Sequence, residues 1–272
     1  LKSKNGRIIG IVSIKGGVGK TTAVVNLAAA LSRDCGKKTI VVDANFSSPN
    51  LGLHLGMVNQ GANLHTVLND EILVHDSIYE HEFGFDVLPA SLKNEKVNPS
   101  KLKNKISGLS RYYDFVLVDS SPSLNDELLA TITTADELLI VTTPDWPTLS
   151  TTLRSVKLAK ERGVPVLGLL LNHFNNKTYE TTVEEIEKAT KVPVIAVIPD
   201  DQKILEALAA VKPITLYSPH NKTSLEFRKL AAALAGTTFK EPTFLQRAAS
   251  LLKEDLQNFK HHDFSKGLTY YR

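Results

Sequence analysis

The chain has 272 residues, 42% of them hydrophobic and 22% charged, enough for a sizeable buried core. Its net charge of +3 is a weak argument for nucleic acid, which usually wants a concentrated basic patch. A single cysteine, Cys35, excludes a disulfide framework, a four-cysteine zinc site and a cluster held by several thiolates of one chain, and fits a reducing cytoplasm. No run of eighteen apolar residues is present, so no membrane-spanning helix is expected. The opening "LKSKNGRIIG" has no signal-peptide core and no initiator Met, so trimming at the N-terminus is expected.

In chain order, short apolar runs alternate with helical patterns. "RIIGIVSI" (7–14) reads as a buried strand, followed by a glycine turn and the helical "TTAVVNLAAALSRD". Further strands are expected at 38–43, 85–89, 114–119, 137–143, 166–172 and 192–198. These runs are β-branched and apolar on both faces, as in a parallel sheet covered on each side. Helical spacing marks 124–135, 148–163, 182–190 and 224–236, the last stopped by Gly236. The expected fold is a doubly wound α/β domain with a mostly parallel sheet, over residues 1–240, with a tail at 241–272.

The glycine run follows the first strand and opens a helix, the context a phosphate loop requires. Gly16, Gly17, Val18 and Gly19 form a turn whose backbone N–H groups can face an anion, and the helix N-terminus adds its dipole. Lys20 can reach the β- and γ-phosphates, the Thr21 hydroxyl can ligate Mg²⁺, and Thr22 can help hold the α-phosphate. The generic G-x-x-x-x-G-K-[ST] pattern is not fully met, because Ile14 stands where its first glycine belongs. Lys15 is a second cation in the same loop.

"KGGVGKTT" (15–22) resembles the deviant Walker A motif of the MinD/ParA ATPases, within the signature-lysine class of P-loop proteins. The resemblance runs from about residue 8 to 236 and implies ATP and Mg²⁺ as ligands and a P-loop fold. It also implies that Lys15 reaches across an ATP-dependent homodimer to the partner's phosphates. A cation donated by a second chain would offset phosphate charge in a site closed to water.

"VVDANFSSPNLGLHLG" (41–56) resembles the family's switch I. Asp43 and Asn50–Leu51 match, but Asn45 stands where relatives usually carry a second carboxylate that orients the attacking water. An amide oxygen holds a water but is a poor proton acceptor. Slow hydrolysis is therefore expected, with Lys15, Lys20, Asp43 and Asn45 as the catalytic set. "YYDFVLVDSSPSL" (112–124) resembles the Walker B strand and switch II, with Ser121 in place of a proline; Asp119 is expected to hold Mg²⁺, the other reading being a helix-capping carboxylate. "LLLNHF" (169–174) and "VIPDD" (197–201) resemble the segments that flank the adenine, which brings in Asn172, Pro199 and Asp200; His173 replaces the usual arginine. The other reading of Asn172 is an amide that satisfies loop backbone groups. Trp146 reads as a packing or partner residue.

In the tail, Phe244, Ala248, Leu252, Leu256 and Phe259 fall on one helical face, while the polar face mixes both charge signs. Packing on the protein's own body, membrane binding and docking to another protein all remain open for it. Tyr270 and Tyr271 raise an autokinase reading, but two tyrosines make a poor cluster. The function implied is an ATP-dependent dimerisation switch that positions a cellular complex such as a division-site, flagellar, chemosensory or chromosome cargo. A stimulating or cargo protein is expected as partner, and a membrane surface is favoured over non-specific DNA. The place would be the cytoplasm, or the inner face of the membrane. The alternative is an ATP-bound scaffold with little hydrolysis.

Overall fold

The computed structural model describes residues 6–58, 60–93 and 95–239. The amphipathic tail lies outside the described residues. In chain order the elements are β1 (Arg7–Val12), α1 (Lys20–Arg33), β2 (Thr39–Ala44), α2 (Leu51–His54), α3 (Leu64–Leu68), β3 (Tyr79–Glu80), β4 (Asp86–Leu88) and α4 (Leu102–Ile106). They continue with β5 (Phe115–Ser120), α5 (Asp126–Thr134), β6 (Glu137–Thr142), α6 (Trp146–Glu161), β7 (Val166–Phe174) and α7 (Val183–Thr190). β8 (Val194–Pro199), α8 (Gln202–Ala209), α9 (Ile214–Tyr217) and α10 (Lys222–Ala235) complete the described chain.

The eight strands form one sheet in the order β3-β4-β2-β5-β1-β6-β7-β8. Every pairing is parallel except β3 with β4. All seven expected strands are present, and β3 is a two-residue antiparallel edge that periodicity did not announce. Strand side chains alternate between two cores. Ile9, Ile11, Val41 and Leu117 pack with Leu27, Leu31 and Phe227 of α1 and α10. On the opposite face Ile8, Val42 and Val116 meet Leu64, Leu102 and Ile106 of α3 and α4, and Leu138 and Ile140 meet Leu128, Leu149 and Ile186 of α5, α6 and α7. Full burial of each such side chain contributes roughly 1.5–3 kcal/mol.

This topology sets the site. From β1 the chain goes to β2 on one side, while β6, β7 and β8 extend the sheet on the other, so the strand order reverses at β1. A crevice opens at the carboxyl ends of strands where order reverses. Three strands deliver carboxylates or loops there: Asp43 and Asp119 are the penultimate residues of β2 and β5, and the glycine loop leaves β1. Asp43 and Asp119 are register partners across β2 and β5, and Ile11 of β1 is the partner of Asp119 on its other side.

Candidate nucleotide and metal site

Six of the ten α-helices among the described residues begin with a side chain that caps their first turn. Asn63, Asn125, Asp145, Thr182, Asp201 and Asn221 each accept a backbone N–H at the start of α3, α5, α6, α7, α8 and α10. Helix α1 does not: its N-cap is Gly19, with no capping side chain and no acidic residue in the first turn. Its first N–H groups and positive dipole end are left to an external anion. Gly17 and Gly19 have φ of 76° and 92°, a region L side chains rarely adopt. At Gly19 a Cβ would also lie 2.3 Å from Asn172 Nδ2.

Lys20 is the first residue of α1 and only 6% exposed. Burial lowers its pKa, and the nearby Asp119 charge acts the other way. The Thr21 hydroxyl donates to Asp119 Oδ2 at 2.6 Å, while Asp119 Oδ1 is buried with no partner. Asp119 does not cap the helix that follows it; Asn125 does. Burial pushes the Asp119 carboxyl above its ordinary range, against the hydrogen bond from Thr21 and the charge of Lys20. Burial and the Asp119 charge push Asp43 up as well. Two carboxylates and one lysine in a dry corner, with an orphaned carboxylate oxygen beside a hydroxyl, make a donor set that suits a hard divalent cation next to a polyanion.

Switch I is fastened by its own side chains. Asp43 accepts the backbone N–H groups of Asn45 and Leu51, both at 3.1 Å. Asn45 is buried; its Nδ2 donates to the Ser48 carbonyl, and its Oδ1 is left without a partner. Asn172, also buried, donates to the Val18 carbonyl at 2.8 Å, so its amide supports the glycine loop directly. Its Oδ1 is buried and unpartnered. Pro199 ends β8 as the register partner of Phe174 and, with Phe174, Asn175 and Lys222, lines an open cavity of about 530 Å³. Asp200 accepts from His173 Nδ1 at 3.0 Å, which holds its carboxyl below the ordinary range. His173, the residue in place of the usual arginine, has φ of 58°.

Lys15 is held by the start of α6. Its Nζ donates to Asp145 Oδ1 at 3.1 Å and to the Thr148 hydroxyl. Asp145 is a residue that the sequence reading missed. It caps α6 by accepting Thr148 N–H at 2.9 Å and takes a further bond from the Thr143 hydroxyl. Burial pushes its carboxyl up, but the hydrogen bonds from Thr143, Thr148 and Lys15 hold it down at about 2. An Asp one residue before the first turn, with Pro147 inside it, is a helix-start signal that could have placed α6 at Trp146 and not at residue 148. Trp146 itself is exposed.

A family model described as an AAA domain matches residues 6–152, and one described as a NUBPL iron-transfer P-loop NTPase matches residues 110–235. An uncharacterized ATP-binding protein of Methanocaldococcus jannaschii is 32% identical over 251 residues, covering 91% of this chain and 94% of its own. The septum site-determining protein MinD of Synechocystis is 29% identical and covers 85% of this chain and 90% of its own length. Among solved structures, the cell division ATPase MinD of Pyrococcus furiosus superposes with a TM-score of 0.81 at 36% identity, covering 85% of this chain and 99% of that one. The MinD of Pyrococcus horikoshii, solved with Mg-ADP, gives 0.80 at 34% identity, with 84% and 96% covered. With the uncapped loop, the buried lysine and the Thr21–Asp119 pair all at the crevice beside β1, the chain belongs to the MinD/ParA family of P-loop ATPases.

Proposed function

We propose that the protein is an ATP-dependent dimerisation switch that hydrolyses ATP slowly and uses the cycle to position a cellular complex. The observation that carries this reading is the uncapped N-terminus of α1, with Lys20 buried in it and Thr21 bonded to Asp119. The loop N–H groups and Lys20 would bind the β- and γ-phosphates, and Thr22 the α-phosphate. Mg²⁺ would be held by the Thr21 hydroxyl and on the Asp119 side, and would supply charge neutralisation on the β- and γ-oxygens. Phosphoryl transfer depends mostly on positioning and charge stabilisation. Lys20 inside the site, and a partner's Lys15 from outside, supply the chain's own share of that stabilisation. Asn172, Pro199 and Asp200 are the residues proposed to meet the base.

Asn45 sets the rate in this reading. Ser48 holds its Nδ2, so the amide oxygen is the atom left to face a water. That oxygen orients a nucleophile but takes a proton poorly. Asn45→Asp is therefore expected to raise steady-state phosphate release. General-base help is typically worth about 10²–10⁴-fold. The gain should fall at or below the lower end of that range, about 10-fold to 10²-fold, because a carboxylate would oppose the Ser48 carbonyl and sit beside Asp43. Equal turnover of the two proteins would remove the assignment.

The same free oxygen favours a second reading, a stably ATP-loaded dimer acting as a scaffold. Purified protein that retains ATP and releases negligible phosphate, with or without lipid or DNA, would favour the scaffold. For partners we propose a cargo or stimulating protein, and a membrane surface ahead of DNA, reached from the cytoplasm. The relatives carrying the septum-site name support a positioning role. Liposome co-sedimentation with and without residues 241–272 tests the membrane choice.

A further inference from the structure

Glu127 is a buried carboxylate that the reaction described above does not use. It is only 7% exposed, in the first turn of α5. Among the described residues it has no ion-pair partner. Both its oxygens go to one residue of switch I: Oε1 accepts from the Ser47 hydroxyl, and Oε2 from Ser47 N–H at 3.3 Å. A buried charge without a cation is costly, and it persists where hydrogen bonds satisfy it. Here both of those bonds run to a loop, across 80 residues of sequence.

That loop is the one that carries Asn45. Ser47 lies between Asn45, whose amide bonds Ser48, and Leu51, whose N–H is held by Asp43. Phe46 is clamped on the other side, its ring edge-on to buried His65 at 5.7 Å. His65 Nδ1 in turn accepts Ser91 N–H at 3.0 Å. Helix α5 is tied to the opposite switch. Its cap Asn125 accepts Leu128 N–H and donates through Nδ2 to the Ser121 hydroxyl at 3.1 Å. Ser121 is the residue that stands in place of a switch II proline, two positions after Asp119. A closed circuit of contacts therefore runs from Asp119 through Ser121, Asn125 and α5 to Glu127, then through Ser47 to Asn45 and Asp43, and back across the β2–β5 pairing to Asp119.

We propose that Glu127 is a positioning residue that locks switch I to switch II through Ser47, so that the unpartnered oxygen of Asn45 holds its place only while this bond is made. The role of the bond in turnover rests on the ATPase reading; the lock itself does not. Glu127→Leu keeps a similar volume and a helix former but cannot accept either bond. Ser47→Ala removes the hydroxyl from the other side, and Ser47→Thr restores one.

The test has two readouts on the full chain. The first is amide hydrogen exchange of the 45–51 segment with Mg-ATP present. Glu127→Leu is expected to speed exchange there about 10-fold or more, with the core strands unchanged, and Ser47→Ala to raise it less. The second is steady-state hydrolysis. Glu127→Leu and Ser47→Ala are each expected to lower kcat several-fold to 10-fold with KM within about 2-fold. The double variant should match the worse single one, because the two residues act as one unit. Ser47→Thr should recover most of kcat. Unchanged 45–51 exchange in Glu127→Leu overturns the lock. Additive losses in the double variant, or losses shared by kcat and KM, also overturn it, since they describe general destabilisation. If the wild type hydrolyses nothing, the ATPase reading fails while the exchange result still decides the lock.

Discussion

In metal-free buffer at pH 8, Asp119→Asn is expected to make the protein more stable by about 2 kcal/mol, and with Mg-ATP supplied the same change is expected to lower turnover at least roughly 10²-fold. Asp119 and Asp43 are register partners on adjacent strands, both fully buried, and both have carboxyls pushed above the ordinary range by burial, Asp43 by its neighbour's charge too. The sign follows from proton binding. A carboxyl whose pKa is raised on folding binds protons more tightly in the native state than in the unfolded one. Its stabilising contribution is complete below the unfolded value and is lost as pH rises through the folded value. For Asp119 that loss sets in above the ordinary carboxylate range and is complete by about pH 6, and for Asp43 it runs on to higher pH.

An amide at 119 keeps an oxygen to accept the Thr21 hydroxyl and does not ionise. The variant and the wild type should therefore have similar stability near pH 4. They should separate as pH rises, with a midpoint gain of about 4–8 °C at pH 8. Thermal melts at the two pH values in a chelator read this out. The order should reverse with saturating Mg-ATP, because a ligand present at 100 times its Kd adds about 2.7 kcal/mol to a protein that binds it. A variant less stable than wild type at pH 8 without metal would mean that the two carboxylates do not repel. The site then would not be a pocket strained toward a cation.

The parts of this site that sequence made legible are those where local pattern and chemistry coincide. β1, the glycine loop and α1 could be read in order, because a buried apolar run, a turn with glycines and a GKT helix start occupy sixteen consecutive positions, 7–22. Asp43 and Asp119 were legible because each ends an apolar run, which in a parallel sheet places it at the crevice. The region from 57 to 113 was much less so. Its helices α3 and α4 are five residues long, too short for 3.6-residue periodicity to show, and β3 is a two-residue edge. Glu127 and His65 were invisible for another reason. Their importance comes from contacts across 80 and 26 residues of chain, with Ser47 and Ser91, which no window reports. Asn172 was legible as a site residue, but only coordinates assign its amide to the Val18 carbonyl.

Lys15→Ala and Asp145→Asn are expected to move dimerisation in opposite directions. In the described structure the Lys15 ammonium is occupied within its own chain, bonded to Asp145 and Thr148, with both members of the ion pair about two-fifths exposed. A pair so exposed is worth about 0–1 kcal/mol. It is a weak tether, and in the proposed dimer a triphosphate offered by a second chain, in a site closed to water, would outcompete it. On the proposed function, removal of the lysine would take away the cation that couples pairing to the γ-phosphate. ATP-dependent dimer should then become undetectable at concentrations where wild type is paired, with turnover lower by about 10²–10³-fold. Asparagine at 145 keeps the α6 cap, since Asn and Asp rank together as N-cap residues, but gives up the charge that holds Lys15. Its dimer constant in saturating ATP should tighten by about 2- to 5-fold, with little change in ADP. Analytical ultracentrifugation of the two variants in both nucleotides separates the outcomes. A Lys15→Ala protein that pairs like wild type would leave the lysine a loop residue with a local partner. An Asp145→Asn protein that pairs more weakly would make Asp145 part of the interface, where Lys15 and the carboxylate act together in the closed form.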